Sequence, residues 1–331
     1  MAAPAVSKPL VRTLLDAGAA FGPLDRQGHP SLRSAGVLAL ARLGADDAAL
    51  QDFASRQDAV SLPAPDAAAW PAGDAWAQQL GSAAAWAAYR DLMGQWLFYE
   101  DAGAVLRQTL PRLVQGCAGQ GFAGLIRSAY AVQSQHRQEL VDALAYWASA
   151  HLALDLAPGL RPLAPASADP QRALRQLHGV DLAARSTDAA VQALACTRAF
   201  GQAVAVLAPD AQLLQRLAAL AAQAYAASGT SLAGQLLLSA WALGVLLPFA
   251  DEDAWPALRQ DYWHAFAALV CVADLRDAPP PQPRSWRAIV LRARSCREPH
   301  ALCLVDACRA LEKAYGADPL WRQAATRALW A

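Results

Sequence analysis

Lysine is nearly absent from this chain, and charged residues of both signs are scarce. Only Lys8 and Lys313 are lysines among its 331 residues, and charged residues make up 17% of the total. Lys+Arg and Asp+Glu are balanced at 28 each. This balance argues against a basic nucleic-acid-binding surface and against a polybasic membrane patch, so we expect neither partner. We interpret the preference for arginine as the codon bias of a GC-rich genome, and not as a sign of phosphate chemistry.

Cysteine is also scarce and unpaired in the sequence. Six cysteines are scattered without a C-x-x-C pair, which is typical of a reduced compartment. The N-terminal residues lack the apolar core of a signal peptide, so we expect a cytoplasmic location. Leu217 to Ala250 contains no charge, but its densest part, Leu236–Phe249, is shorter than the roughly 20 residues of a membrane span. We expect a buried core helix there.

Strand-like alternation and nucleotide-binding glycine motifs are missing as well. No G-x-G-x-x-G or G-x-x-x-x-G-K-[ST] motif occurs after a strand, so a Rossmann or P-loop fold is unsupported. Hydrophobic residues amount to 55%, and they recur at helical spacing almost throughout. The sequence therefore predicts an all-α, bundle-like single domain over residues 1–331 with a central inter-helix cavity. Residues 1–60 are expected to wrap the rest.

Proline-rich stretches divide the predicted helices. Ser61–Asp74, Ala157–Pro170 and Asp277–Ser285 are predicted to be loops, because proline removes a hydrogen-bond donor and fixes φ. In the last helices, Pro299 suits a first turn, Gly316 a C-terminal cap and Asp318 an N-terminal cap. The predicted helices are 9–18, 32–43, 46–56, 74–88, 90–98, 101–115, 119–133, 136–154, 170–177, 187–206, 210–228, 231–247, 253–273, 285–294, 299–315 and 318–330.

Four segments share the motifs of a known family in the same order. They are VLALARLGADDAAL (residues 37–50), the block from Val105 to Leu156 with LPRL, GLIR and ALAYWA, LLLSAWALGVLLP (236–248) and EPHALCLVDACRA (298–310). Together they resemble the questin oxidase-like family over nearly the whole chain. The resemblance implies an oxidoreductase that acts on polycyclic aromatic ketides by Baeyer–Villiger-like or ring-opening oxygen chemistry. Some members resemble non-haem iron oxygenases, with several histidines and a lysine at the metal.

The positions of those family ligands carry other residues in this chain. Alignment by the shared motifs puts Leu32, Ala123, Gln235 and Trp241 where the family has histidines, and Cys303 where it has the lysine. Only His300 is kept. One imidazole cannot hold iron against water, so no metal site is predicted and family-type iron is disfavoured. In the alternative alignment, His29 or His264 fills a vacant position.

His300 and Cys303 are the candidate catalytic residues. They are three residues apart at a predicted helix start, where a thiol pKa is lowered and an imidazole can activate the sulfur. The competing interpretation is a first-turn histidine beside a small buried thiol, since free cysteine is among the most buried residues.

A second group of residues is predicted to line a substrate cavity. Trp241 is expected to fill the space of the lost metal or substrate, and His264 lies among aromatic residues. Arg127 and Tyr130 either donate hydrogen bonds to a ligand carbonyl or complete a buried polar network. The predicted cavity residues are Leu32, Ala123, Arg127, Tyr130, Gln235, Trp241 and His264.

Two functions remain open from the sequence. The first is an oxidoreductase resembling questin oxidases, with a helical cavity for a planar, largely apolar substrate. The second is a catalytically silent relative that binds a small molecule or acts in assembly. The sequence marks no nicotinamide site, so NADPH stays undecided. It leaves the oligomeric state open as well, and a homo-oligomer is one possibility.

Overall fold

The computed structural model describes residues 8–65, 74–156, 166–177, 186–273, 275 and 279–330. Within these ranges the fold is all-α, as the sequence predicts, with one hydrophobic core that extends from Leu15 to Leu329. The helices are α1 (Lys8–Gly18), α2 (Arg33–Arg42), α3 (Asp47–Val60), α4 (Trp86–Tyr99), α5 (Ala102–Leu113), α6 (Ala123–Ser134), α7 (Arg137–Ser149), α8 (Pro170–Leu174), α9 (Thr187–Ala195), α10 (Arg198–Val204), α11 (Leu213–Ser228), α12 (Ser231–Leu246), α13 (Trp255–Val272), α14 (Trp286–Ala293), α15 (Pro299–Tyr315) and α16 (Pro319–Trp330).

Two short strands correct the prediction of a loop from residue 61. β1 (Phe21–Asp25) and β2 (Ser61–Pro63) pair antiparallel, with Asp25 opposite Ser61. The rest of that predicted loop, 66–73, lies outside the described residues, as do parts of the other two predicted loops (157–165, and 277 with 278). The strand pair joins the end of α3 to the segment between α1 and α2, and so fixes the chain that leads into α2.

Side-chain caps explain several helix boundaries that the sequence prediction placed wrongly. The helix predicted over 187–206 is two helices, because Thr197 accepts a hydrogen bond from the Phe200 N–H and starts α10. The helix predicted over 74–88 is also wrong. A 3-10 helix covers Asp74–Gln79, and Gly81 then takes a left-handed conformation with a φ of 87°. α4 begins only at Trp86.

The C-terminal helices follow the prediction closely. α15 begins at Pro299 and ends at Tyr315, and the N–H of the following Gly316 donates to the Glu312 carbonyl. Asp318 accepts a hydrogen bond from the Leu320 N–H at the start of α16. Leu304, Cys308 and Leu311 recur at helical spacing along α15, and all three are buried.

α12 lies at the centre of the domain. It packs against α6, α11, α13 and α15, and it is buried over most of its length. Among the described residues, Ser231–Phe249 is the one helical stretch apolar and long enough to cross a membrane, and 67% of it is buried inside the fold. α2 is equally buried and packs against α6 and α15. The N-terminal 60 residues therefore contribute a core helix rather than only a surface wrap.

Candidate functional site

A cavity of about 280 Å³ opens between α2, α6, α12 and α15. We call it the His300 cavity. Four positions that the family resemblance singles out line it, namely Leu32, Ala123, Gln235 and His300. The remaining lining residues are His29, Pro30, Ile126, Ser231 and Leu238. Positions from four distant parts of the sequence thus meet at one place in the fold.

Each of the four helices around the His300 cavity begins at its wall. Leu32 is the N-cap of α2, Ala123 and Ser231 are the first residues of α6 and α12, and His300 is the second residue of α15. A helix N-terminus carries a partial positive charge and unpaired N–H groups. α12 is capped by the Thr230 hydroxyl, whereas α2, α6 and α15 have no side-chain cap from their N-cap residues. The four helix starts together favour a ligand atom that carries negative charge.

The segment before α6 is held in an unusual backbone conformation. Gln120, Gly121 and Phe122 have φ values of 51°, 62° and 68°, in the left-handed region that non-glycine residues avoid. Asp188 holds this segment by accepting hydrogen bonds from the Gln120 N–H at 3.1 Å and from its side-chain amide at 3.0 Å. Strained backbone of this kind clusters at functional sites. α6 therefore starts at Ala123, four residues later than the sequence predicted.

Gly121 gives the Gln235 side chain its place at the cavity wall. A Cβ on Gly121 would lie 2.0 Å from the Gln235 Oε1 atom, so any other residue there displaces the amide. Within the described part of the chain, the Gln235 amide makes no hydrogen bond to protein. It is therefore free to donate to or accept from a ligand in the cavity.

His300 is held at the cavity wall by close packing against α12. A Cβ on Gly234 would lie 2.5 Å from the His300 Cε1 atom. The His300 Nε2 atom is buried and has no hydrogen-bond partner among the described residues. Burial lowers the pKa of His300 to about 4, so the ring is neutral at physiological pH. A neutral imidazole with an unpartnered nitrogen can form a hydrogen bond with a ligand oxygen.

The residues at this cavity do not fit the iron site that the resemblance suggests. Iron needs several imidazole or carboxylate ligands around an open position. The cavity offers His300 and His29, and the His29 side chain is 70% exposed at the rim. No carboxylate lines it, and the described residues contain no group of three or more metal-ligating side chains. The residues present at this cavity therefore do not support chemistry at a metal ion.

Cys303 lies one turn along α15 from His300 but does not line the cavity. Its side chain is fully buried, and burial raises the pKa of the thiol to about 12. No hydrogen bond joins it to His300 in the described structure. A nucleophilic pair needs a thiolate and a contact between sulfur and imidazole, and the geometry supplies neither. The surroundings match those of a small buried thiol.

Tyr130 and Trp241 pack together beside the cavity without lining it. Their ring centroids are 4.6 Å apart. The Tyr130 hydroxyl lies 3.2 Å from both the Cys303 carbonyl oxygen and the Asp306 Oδ2 atom. Burial raises the pKa of Asp306 to about 6, and the Arg42 Nε atom lies 3.4 Å from its Oδ1 atom. These contacts are those of the buried polar network that the sequence left open for Tyr130.

Arg127 and His264 also lie outside the His300 cavity. Arg127 forms a buried ion pair with Glu139, with an Nε–Oε1 distance of 2.9 Å, which matches the network interpretation of this residue. The His264 Nε2 atom lies 2.6 Å from the Gln260 amide nitrogen on α13. Burial lowers the pKa of His264 to about 4.

Sequence reasoning missed four lining residues, Pro30, Ile126, Ser231 and Leu238. Ile126 and Leu238 are apolar residues at helical spacing from Ala123 and Gln235, which is a signal that could have found them. The position of Pro30 at the cavity wall depends on an Asx turn. Asp25 accepts hydrogen bonds from the Gln27 and His29 N–H groups and so shapes the loop that reaches the cavity.

A scan of the sequence against protein-family models finds no match, and a search of curated proteins finds none. The questin oxidase-like resemblance therefore stays a prediction that depends on the motifs themselves.

Proposed function

We propose that this protein binds a small, planar, largely apolar molecule with an electron-rich oxygen in the His300 cavity, without a metal ion. The observation that carries this proposal is the meeting of Leu32, Ala123, Gln235 and His300 around one cavity. The family resemblance selected these positions from sequence motifs alone. A degenerate relative of a questin oxidase-like protein would keep such a cavity while its ligand chemistry changed.

The electrostatics of the His300 cavity favour a ligand oxygen that carries negative charge. Each helix N-terminus stabilises a nearby negative charge by about 0.3–1 kcal/mol when exposed, and by up to about 2 kcal/mol when partly buried. Four helices begin at this wall. The neutral His300 ring adds one hydrogen-bond partner. A quinone or phenolate oxygen meets these requirements, whereas a cation does not.

The size and lining of the His300 cavity indicate how large and how apolar the rest of the ligand is. Its volume of about 280 Å³ is just below the range of about 300–1,000 Å³ for small-molecule pockets. Ile126 and Leu238 supply apolar walls, and Gln235 supplies an amide. These features favour a compact ring system over an extended polycyclic one.

The oxidoreductase function that the resemblance implies is the second candidate. One observation favours it, since the unpartnered Nε2 atom of His300 can form a hydrogen bond with a phenolic hydroxyl and so orient a ring for oxidation. Its test is oxygen consumption with hydroxylated aromatic substrates, with and without NADPH. Turnover that His300→Ala abolishes would support this candidate over simple binding.

Titration with a hydroxynaphthoquinone, followed by its visible absorption, tests the binding proposal. We expect saturable binding. His300→Ala should weaken it by roughly tenfold or more, because one hydrogen bond to a charged group is lost. Ser231→Trp, at the exposed mouth, should block entry. His264→Ala is the matched control, because that histidine is equally neutral and lies outside the cavity. Equal losses in both histidine variants, or no saturable binding, would refute the proposal.

A further inference from the structure

A second concave site lies at the surface beside α14 and α15. It is an open cleft of about 770 Å³ between the end of α2, one face of α14 and α15. We call it the arginine cleft. Four of its nine lining residues are arginines, and none is acidic. The four are Arg42, Arg287, Arg294 and Arg309. Since the whole chain has no net charge, this local excess of positive charge comes from placement and not from composition.

Asp306 offsets part of the positive charge in the arginine cleft, because it interacts with both Arg42 and Arg309. Arg42 faces Asp306, with an Nε–Oδ1 distance of 3.4 Å. Within the described ranges, Arg287, Arg294 and Arg309 have no carboxylate within ion-pair distance. Like charges that share a cleft repel one another, so an anion that enters relieves this repulsion.

Two of the guanidinium groups are fixed before any ligand arrives. The Arg294 Nε donates to the Leu43 carbonyl at 3.0 Å, and Gly44, with a φ of 76°, leaves room for its Nη2 atom. A Cβ on Gly44 would lie 2.8 Å from that atom. Arg42 is held by Asp306 and by a hydrogen bond to the Gln133 side chain. Pre-positioned guanidinium forks bind phosphate oxygens in pairs and lose little conformational freedom.

The remaining walls of the arginine cleft are apolar. Trp286 is anchored by a hydrogen bond from its indole N–H to Glu312, and Val290 and the exposed Leu291 complete the rim. A cleft of this volume is within the range that holds a small organic molecule. Its chemistry therefore suits a ligand with a phosphorylated end and a less polar body.

We propose that the arginine cleft binds a small organic molecule that carries two or more phosphate groups. The site is separate from the His300 cavity and shares no lining residue with it. It does not depend on the function proposed for that cavity. Arginine abundance in the sequence gave no reason to expect phosphate chemistry, and only the convergence of three elements in the fold provides one.

Calorimetric titration of the full chain with inorganic pyrophosphate tests this proposal. We expect saturable binding that the double variant Arg287→Gln/Arg309→Gln weakens by roughly tenfold or more, because two charge-assisted contacts are lost. Both side chains are exposed, so this variant should fold. Arg292→Gln/Arg297→Gln is the matched control, since it removes the same charge from exposed positions outside the cleft.

A second measurement leaves the four arginines of the arginine cleft unchanged. The indole N–H resonance of Trp286, assigned with Trp286→Phe, should shift when pyrophosphate is added, and His300→Ala should leave this shift unchanged. Absence of saturable binding, or equal weakening by both double variants, would show only non-specific charge attraction and would overturn the proposal.

Discussion

Replacing Gly234 by alanine adds one methyl group at the wall of the His300 cavity. That Cβ would lie 2.5 Å from the His300 Cε1 atom, 3.2 Å from its Nε2 atom and 3.2 Å from the Leu304 Cδ1 atom. Carbon atoms pack best at about 3.5–4.0 Å, so the ring must move by about 1 Å. The cavity is the open space beside the ring, and we expect the ring to move into it. Ligand affinity should then fall, as it does in His300→Ala.

The change in the free energy of unfolding follows from two opposing effects. Alanine is favoured over glycine inside a helix by about 0.5–1 kcal/mol, and overpacking costs about 1–3 kcal/mol. The net change for Gly234→Ala therefore ranges from about 0 to a destabilisation of about 2.5 kcal/mol. Gly244→Ala is the control on the same helix. Its Cβ meets nothing within 4 Å, so it should stabilise the protein by about 0.5–1 kcal/mol.

Urea unfolding followed by circular dichroism measures both variants, and titration with the hydroxynaphthoquinone measures binding. We expect the two glycine variants to differ by about 1–3 kcal/mol in the free energy of unfolding. Equal stabilisation by both substitutions, with ligand affinity unchanged in Gly234→Ala, would show that His300 is not packed against α12 as described.

Three further predictions concern pH and the buried polar groups. Burial lowers the pKa of His300 from 6.5 to about 4, so between these pH values the unfolded chain binds a proton that the folded protein does not. The stability advantage of the wild type over His300→Gln should therefore be complete above pH 6.5 and fall as the pH drops towards 4. Urea unfolding at a series of pH values should show a loss of at most about 3 kcal/mol. Arg127→Met should cost about 3–5 kcal/mol, because it leaves Glu139 buried without its partner, and adding Glu139→Met should recover most of that loss. Tyr130→Phe should cost about 1–3 kcal/mol, because Asp306 loses a buried hydrogen bond, while ligand affinity stays unchanged.

Local signals in the sequence were enough to predict the helical fold and many helix ends. Pro299 and Asp318 mark helix starts by chemistry that acts within a few residues. The strand pair was missed because β2 is three residues long, and its partner, β1, is distant in the sequence. The break at Thr197 was missed because apolar periodicity continues through it, and only the hydroxyl cap separates α9 from α10.

The lining of the His300 cavity could be predicted only in part. A motif alignment shows which positions correspond, but it does not show where their side chains point. Gln235 reaches the cavity, whereas Trp241, six residues later, faces another side of α12, since six residues are about one and two-thirds turns. Cys303 is one turn deeper along α15 than His300 and is covered by the core. The left-handed backbone at Gln120 depends on Asp188 from a distant helix, so local sequence could not indicate it.

A crystal structure of the metal-free protein with a hydroxynaphthoquinone bound tests most directly whether the His300 cavity binds such a ligand. We expect density for the ring between Ile126 and Leu238, with a ligand oxygen at hydrogen-bond distance from the His300 ring. Density for a metal ion coordinated by His300 after treatment with a chelator, or a ligand bound only elsewhere on the protein, would contradict this expectation.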